Sequence, residues 1–319
     1  MAAQGSKTAV IAAFIGNGLI AITKFAASAV TGSSAMFSEA VHSLVDTGNQ
    51  VLLLYGMKRA EHPADEVHPF GYGRELYFWA FVVAIMIFAT GAGVSLYEGV
   101  HKLSAPEPIT NAYINYIVLG LAIVFEGGAW FLAFREFRRR KGGRGFFRAL
   151  QHSKDPALFT VLMEDTAAML GLIIALLGVY LSETLGMPEL DAIASIMIGI
   201  VLALIAAFLA YETKALLIGE AATPEVRAGV RRLIAQERGI ERVNEVLTMH
   251  MGPEDVLLNL SVDFRAGLTS DQVETAISGL ERRIKAEFSE ITRVFVEAQS
   301  MQAHRRAART SGGGNGAPA

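Results

Sequence analysis

The stretch Ser38–Asn49 combines metal-ligating side chains with a sequence apolar enough to cross a membrane. Within it, His42 and Asp46 are four residues apart, which on an α-helix places them on one face, one turn from each other. An imidazole and a carboxylate placed in this way can bind the same divalent cation. Ionisable groups inside a membrane are costly and usually mark an ion or proton pathway. The stretch therefore predicts a cation site inside a membrane.

Four polar residues of this stretch form a single stripe: Glu39, His42, Asp46 and Asn49. Their spacing of i, i+3, i+7 and i+10 keeps them within an arc of about 80° on a helical wheel. One polar stripe on an apolar helix is typical of the lining of a pathway, so we expect Glu39 and Asn49 to line it as well. The alternative is a set of interhelical hydrogen bonds that hold a helix bundle together.

A second pair of carboxylates, Glu164 and Asp165, interrupts a later apolar segment. A tetrahedral metal site needs about four nitrogen or oxygen ligands. His42, Asp46 and Asp165 supply three, and Glu164 or water supplies the fourth. Adjacent residues differ by about 100° in direction, so Glu164 and Asp165 need not face one centre. In the alternative interpretation this helix begins later and both residues lie at the membrane interface.

Four further polar features carry weaker signals. In the loop 61–73, Asp65 and His68 could hold a second metal or belong to an ordinary surface loop. Lys24 can snorkel toward the interface, and a structural role is expected, with a role in transport as the alternative. Glu126 precedes two glycines and is a candidate for lining the cavity or carrying a proton. Asp191 is well placed to cap the N-terminus of its own helix.

The composition is that of a polytopic membrane protein. Of 319 residues, 52% are hydrophobic and 18% are charged, and the mean hydropathy is +0.38. The absence of cysteine excludes disulfides and thiol chemistry. Segments of about 20 apolar residues, enough for roughly 30 Å of hydrocarbon, predict six membrane-spanning helices. These are Ala9–Val30, Ala35–Met57, Tyr77–Val100, Ala112–Phe134, Leu158–Leu181 and Asp191–Tyr211.

Lysine and arginine are concentrated in alternate loops, which sets the orientation. The loops after the second and fourth segments carry Lys58, Arg59, Arg74, Arg135, Arg138, Arg139, Arg140, Lys141, Arg144, Arg148 and Lys154. We therefore expect these loops and both termini in the cytoplasm. The arginine-rich loop is read as a determinant of topology, with a site for lipid head groups as the alternative.

From Thr223 onward the sequence has the pattern of a small soluble α/β domain. Helices are predicted at Pro224–Glu237, with Thr223 as N-cap, and at Thr269–Phe288, with Ser270 as cap; strands are predicted at Arg242–Met251, Val256–Phe264 and Ile291–Ala298. The order is α-β-β-α-β. The predicted division is a transmembrane transport domain at 1–219, a cytosolic α/β dimerisation domain at 220–302 and a disordered tail at 303–319.

With these motifs in place, the sequence resembles the cation diffusion facilitators, a family of dimeric zinc and manganese transporters. The most specific element is the stretch 34–46, Ser-Ala-Met-Phe-Ser-Glu-Ala-Val-His-Ser-Leu-Val-Asp, followed by His-Pro-Ala-Asp at 62–65 and His-Pro-Phe-Gly-Tyr-Gly at 68–73. The similarity extends from the first apolar segment to about residue 300. It is greatest to the zinc-transporter branch found in mitochondria and its bacterial relatives.

This resemblance implies a transport site between the second and fifth segments, with His42 and Asp46 facing Asp165. It implies a metallochaperone-like cytosolic fold that pairs two protomers, and cation efflux driven by proton antiport. The sequence departs from the family at two positions. Val161 stands where a second ligand, often histidine, precedes the aspartate by four residues, and Tyr72 stands where the loop site usually ends in histidine.

The sequence-based hypothesis is a proton-coupled efflux transporter, not an enzyme, that carries a divalent cation by alternating access. Zn²⁺ suits a mixed histidine and carboxylate set, and Mn²⁺ and Fe²⁺ are alternatives. A passive cation channel is the main competing function. We expect no bound cofactor besides the transported cation, a lipid membrane and a second copy of the chain as partners, and no nucleic acid. The expected location is a bacterial inner membrane.

Overall fold

The computed structural model describes residues 2–140, 155–300 and 302; the side chains of residues 2–16, 133, 136, 139 and 140 are outside this description. Two compact units contain the described residues. One comprises Met1–Pro63 and Arg74–Ala215, and the other comprises Ala64–Gly73 and Leu216–Ala319. The arginine-rich stretch from Lys141 to Lys154 and the tail from Ala303, both subjects of sequence predictions, lie outside the described residues.

Long helices build the first unit. They are α1 (Ala2–Thr31), α2 (Ser34–Ala60), α3 (Glu75–Met86), a π-helical segment (Ile87–Ala92), α4 (Gly93–Ser104), α5 (Ala112–Arg140), α6 (Pro156–Leu185) and α7 (Glu189–Ile218). Helices α3 and α4 form one continuous stretch through the π-helical segment, which the hydropathy pattern does not reveal. The helices extend a few residues past the predicted apolar segments, because hydropathy marks only the part that suits a lipid environment.

Four helical stretches of the described chain are long and apolar enough to cross a membrane: Glu75–Ser104, Ala112–Leu132, Pro156–Leu185 and Glu189–Ile218. Helix α2 is as long as these but carries the polar stripe, which lowers its mean hydropathy. In α1 the described side chains begin only at Asn17. Length and composition therefore identify a multi-pass membrane unit.

Short connections join α1 to α2 and α6 to α7. Ser33 caps α2 by accepting a hydrogen bond from the backbone N–H of Met36. Helix α6 begins with Asp155 as N-cap and Pro156 in its first turn. It ends at Gly186, whose φ of +65° is left-handed and favours glycine. These local signals place the four helices close to their predicted limits.

Asp191 links the N-terminus of α7 to the N-terminus of α2, whereas the sequence predicted a cap on its own helix. Its carboxylate accepts hydrogen bonds from Ser33 Oγ at 2.6 Å, from the Ser34 backbone N–H at 2.6 Å and from Ser34 Oγ at 2.9 Å. The expected cap on its own helix is thus wrong: Asp191 lies in the first turn of α7 and binds the N-terminus of α2. Its partners are distant in sequence, so no local pattern reveals them.

The second unit contains a three-stranded sheet with two helices. Its elements are α8 (Pro224–Ala235), β1 (Ile240–Gly252), β2 (Asp255–Phe264), α9 (Ser270–Glu287) and β3 (Ile291–Ala298). Strand β2 is central, antiparallel to β1 and parallel to β3. This confirms the predicted α-β-β-α-β order. Residues of one sheet face, among them Leu258 and Leu260, form the core with Val230, Leu280 and Ile284 of the helices.

Of the two helix caps predicted for this unit, one is confirmed and the other is wrong. Thr223 caps α8 as expected, by accepting from the Val226 N–H. The predicted Ser270 cap of α9 is wrong. Thr269 is the N-cap, and it forms a capping box with Gln272 in which each side chain accepts from the other residue's backbone N–H. The reciprocal pair satisfies two donors, whereas Ser270 would satisfy one.

Candidate functional site

A cavity of about 450 Å³ lies inside the helical unit. Its polar walls are formed by Ser43 and Asp46 of α2, Glu126 of α5, and Glu164 and Asp165 of α6. The lining comes from the middle of α1, where Asn17 and Ile20 lie, the middle of α2, the C-terminal half of α5 and the N-terminal third of α6. The cavity is therefore offset toward the end of the unit where α5 ends and α6 begins, away from the end fastened by Asp191.

The two acidic residues of α6 both face this cavity. Glu164 is buried, and its Oε1 accepts a hydrogen bond of 2.7 Å from the Asn49 amide of α2. Asp165 lines the same cavity one position further along. The alternative in which α6 begins after these residues is wrong, because the helix begins at Pro156 and places them more than two turns inside. The two residues are adjacent in sequence, yet both side chains line the same cavity.

His42 has unused hydrogen-bonding capacity beside the cavity. Its Nδ1 lies 3.4 Å from Asp46 Oδ1, and the side chain is 1% exposed. Among the described side chains, neither ring nitrogen of His42 has a hydrogen-bond partner, and the same is true of Asp46 Oδ1 and Asn49 Oδ1. Buried polar atoms are almost always paired. These atoms are thus nitrogen and oxygen donors of the kind that a divalent cation takes.

The predicted ligands are close together without forming a complete coordination sphere. Asp46, Glu164 and Asp165 share the cavity wall, while His42 is not among its lining residues. Within the described part of the chain, no group of three or more His, Cys, Asp or Glu side chains is arranged to hold a metal ion. Val161 also lines the cavity and offers no ligand. A bound cation would require the walls to move inward.

Glu39, predicted to line the pathway, pairs with Lys24 of α1. The Lys24 ammonium lies 3.1 Å from Glu39 Oε2 and 2.9 Å from Glu126 Oε1. Lys24 does not snorkel, since its side chain is 0% exposed. Sequence reasoning missed this ion pair because nothing local shows the depth of Lys24 or its neighbours. The only available signal was that Lys24 and Glu39 interrupt two apolar segments joined by a short turn.

The loop carrying Asp65 and His68 belongs to the second unit and is closed by its own hydrogen bonds. Asp65 Oδ1 accepts from the backbone N–H of Val67 and of His68, and its Oδ2 accepts from the Tyr72 hydroxyl at 2.7 Å. These bonds, first that of the Tyr72 hydroxyl, hold the pKa of the Asp65 carboxyl below its usual range. Phe70 of the same loop lies against the Arg293 guanidinium. Both Asp65 oxygens are occupied, which favours the ordinary loop over a second metal site.

The helical unit is that of a multi-pass membrane protein, and its internal cavity is lined by carboxylates, which inside a membrane usually mark an ion or proton pathway. The family model of the cation efflux transmembrane domain matches residues 10–218. The chain therefore belongs to the cation efflux family, the cation diffusion facilitators, as the resemblance implied.

Three relatives illustrate the range of similarity. The mitochondrial proton-coupled zinc antiporter SLC30A9 of Homo sapiens is 35% identical over 263 residues, which are 82% of this chain and 46% of the relative. Metal tolerance protein C4 of Arabidopsis thaliana is 28% identical over 263 residues, 82% of this chain and 58% of the relative. Cation-efflux pump FieF of Escherichia coli O127:H6 is 27% identical over 278 residues, 84% and 87% respectively. The chain spans about half the length of its mitochondrial relatives.

Proposed function

We propose that the chain is a proton-coupled efflux antiporter for divalent cations, with Zn²⁺ as the substrate, that works by alternating access through six membrane-spanning helices. The observation that carries this proposal is the set of buried nitrogen and oxygen atoms of His42 and Asp46 beside the cavity that have no hydrogen-bond partner among the described residues. The proposed binding residues are His42, Asp46 and Asp165, with Glu164 as the fourth. The name of the human relative, a proton-coupled zinc antiporter, supports the choice of substrate.

The donor set favours Zn²⁺ among divalent cations. One imidazole with two or three carboxylates is a mixed nitrogen and oxygen set that suits zinc. Its oxygen-rich character leaves Mn²⁺ and Fe²⁺ as the alternatives to be tested. Asn49 donates to Glu164 and so fixes one carboxylate on the α6 side of the cavity. The amide oxygen of Asn49 remains as a further ligand atom for a cation.

Proton coupling follows from the chemistry of these ligands. An imidazole binds a metal only when neutral, and a carboxylate binds it best when ionised, so protons and the cation compete for the same groups. Arrival of the cation from one side releases protons, and its departure on the other side requires their return. A proton gradient can therefore drive cation efflux without a separate proton pathway.

The position of the cavity favours an inward-facing state. The cavity is offset toward the arginine-rich loop between α5 and α6, which the charge distribution assigns to the cytoplasm. The opposite end is fastened by Asp191 and by the Lys102 ammonium, which donates to the Gly32 carbonyl at 2.8 Å. Opening to the outside would break these bonds and close the cytoplasmic half around the cation.

The second unit is proposed to pair two protomers. Leu247, Asn259 and Phe295 are register neighbours on the three strands. Leu247 and Phe295 are each 52% exposed. Large apolar side chains on an open sheet face are typical of an interaction surface. A homodimer through this face, both termini in the cytoplasm, and a bacterial inner membrane complete the proposal.

The test is metal uptake into proteoliposomes with an imposed pH gradient, comparing Zn²⁺, Mn²⁺, Fe²⁺ and Cd²⁺. Gradient-driven Zn²⁺ flux that is lost in His42→Ala, Asp46→Ala and Asp165→Ala is the expected result. Flux that does not respond to the pH gradient would indicate the passive channel instead. Full transport by both His42→Ala and Asp165→Ala would refute the assignment of the site.

A further inference from the structure

The buried lysine of α1 has the coordination of a bound cation. The Lys24 ammonium donates to Glu39 Oε2 at 3.1 Å, to Ser43 Oγ at 2.8 Å and to Glu126 Oε1 at 2.9 Å. An ammonium has three donors, so all of them are used. Glu39 and Ser43 belong to α2 and Glu126 belongs to α5. Three oxygens from two neighbouring helices thus surround one positive charge that is sealed from water.

These oxygens are ligands that a free cation would also take. Two carboxylates and a hydroxyl are hard oxygen donors, the kind that bind small metal cations. Both carboxylates also keep spare capacity, because Glu39 Oε1 and Glu126 Oε2 have no hydrogen-bond partner in the described part of the molecule. The position would therefore be a cation site in its own right if the lysine did not already fill it.

This position is continuous with the cavity. Ser43 and Glu126 line the cavity together with Asp46 and the acidic pair of α6. The Glu126 side chain is 16% exposed, whereas those of Lys24 and Glu39 are fully buried. Glu126 thus accepts a hydrogen bond from Lys24 with one carboxylate oxygen, and its side chain also lines the cavity where the transported cation is proposed to bind.

We infer that Lys24 is a tethered cation that fills a second cation position in the cavity wall and so limits the cavity to one exchangeable divalent cation. The inference rests on the proposed function, because it takes Asp46, Glu164 and Asp165 as the site of the first cation. One divalent cation balances two of the three negative charges that these carboxylates carry when ionised. Lys24 supplies one positive charge between Glu39 and Glu126, which without it would attract a second ion.

A purely structural ion pair makes a different prediction. Removing one partner of a buried ion pair leaves an uncompensated buried charge and is strongly destabilising. If Lys24 only ties α1 to α2 and α5, its loss lowers stability and leaves the number of bound cations unchanged. If it occupies a cation position, its loss lets a cation from solution enter between Glu39 and Glu126. Counting bound cations separates the two roles.

The experiment counts Cd²⁺ bound to the full chain in lipid nanodiscs by equilibrium dialysis. Lys24→Met is expected to bind one more Cd²⁺ per protomer than the wild type. Lys24→Arg keeps the fixed charge and is expected to bind the wild-type number. The double variant Lys24→Met and Glu126→Gln lacks one carboxylate of the new site, and it is expected to bind the wild-type number of Cd²⁺ ions. An unchanged count in folded Lys24→Met would overturn the inference.

Glu126→Gln alone provides the test if Lys24→Met does not fold. Lys24 then still pairs with Glu39, so the wild-type count is expected, whereas loss of a cation would make Glu126 a ligand of the exchangeable ion and overturn the inference. Asp46→Asn tests the proposed function separately, since it should lower the count by one. If Asp46→Asn binds fewer ions and Lys24→Met binds no more than the wild type, only the inference fails.

Discussion

Asp191→Ala is predicted to loosen the end of the helical unit that lies away from the cavity. The carboxylate accepts three hydrogen bonds, from two serine hydroxyls and from the Ser34 backbone N–H. A hydrogen bond to a charged group contributes about 1.5–3 kcal/mol, and an orphaned buried donor costs about 1–3 kcal/mol. The two hydroxyls can rotate to other acceptors, but the Ser34 N–H cannot, because it lies in the first turn of α2.

We therefore expect Asp191→Ala to lower the free energy of unfolding by about 3 kcal/mol, near the lower end of the sum of one charged hydrogen bond and one orphaned donor. Asp191→Asn retains one acceptor oxygen and should lose less. Glu189→Ala is the matched control, since Glu189 lies in the same first turn of α7 and carries the same charge. Its loss should cost only about 0.3–1 kcal/mol through the helix dipole.

The assay is denaturant unfolding of the full chain in mixed micelles, followed by tryptophan fluorescence. Trp79 and Trp130 both lie in the helical unit and report on its unfolding. The expected order of stability is wild type, Glu189→Ala, Asp191→Asn and then Asp191→Ala. Equal losses for Asp191→Ala and Glu189→Ala would refute the reasoning, because the contacts to α2 would then contribute nothing beyond the shared charge.

Three further predictions concern other parts of the chain. A Cβ added by Gly171→Ala would collide with Glu39 Oε1, whereas one added by Gly128→Ala meets nothing within 4 Å. Thermal unfolding should therefore show Gly171→Ala to be less stable than Gly128→Ala by about 1–3 kcal/mol, the cost of overpacking. Asp65→Asn should lower the thermal stability of the second unit at neutral pH. Because the folded-state pKa of Asp65 is lowered, this difference is present above the unfolded pKa and should vanish as pH falls through the folded value. Leu247→Asp should abolish the proposed dimer, measured by light scattering, and an unchanged mass would exclude that sheet face.

The sequence predicts those features that depend on local pattern. The polar stripe on α2 can be predicted from helical periodicity alone. Glu164 and Asp165 can be predicted as partners of Asp46, because they are the only adjacent acidic pair inside a later apolar segment. The cap at Thr223 is a local signal as well. The strands of the second unit are bounded by turn residues and lie within two or so residues of their predicted limits.

Features that depend on tertiary contacts could not be predicted. Lys24 is buried because two helices place carboxylates around it, and the same residue at another depth would snorkel. Asp191 binds a helix more than 150 residues earlier in the chain. The Tyr72 hydroxyl occupies Asp65 where the sequence suggested an open ligand. In each case the role of the residue depends on a contact with a residue that local sequence does not identify.

The central claim is that a proton gradient drives transport of the cation through the site on α2. The most direct measurement is Zn²⁺ accumulation in proteoliposomes with an acidic interior and equal free Zn²⁺ on both sides at the start. We predict accumulation above the external concentration, its collapse when an ionophore dissipates the pH gradient, and its loss in Asp46→Asn. Zn²⁺ that stays at equal concentrations on both sides, with or without the gradient, would contradict the account.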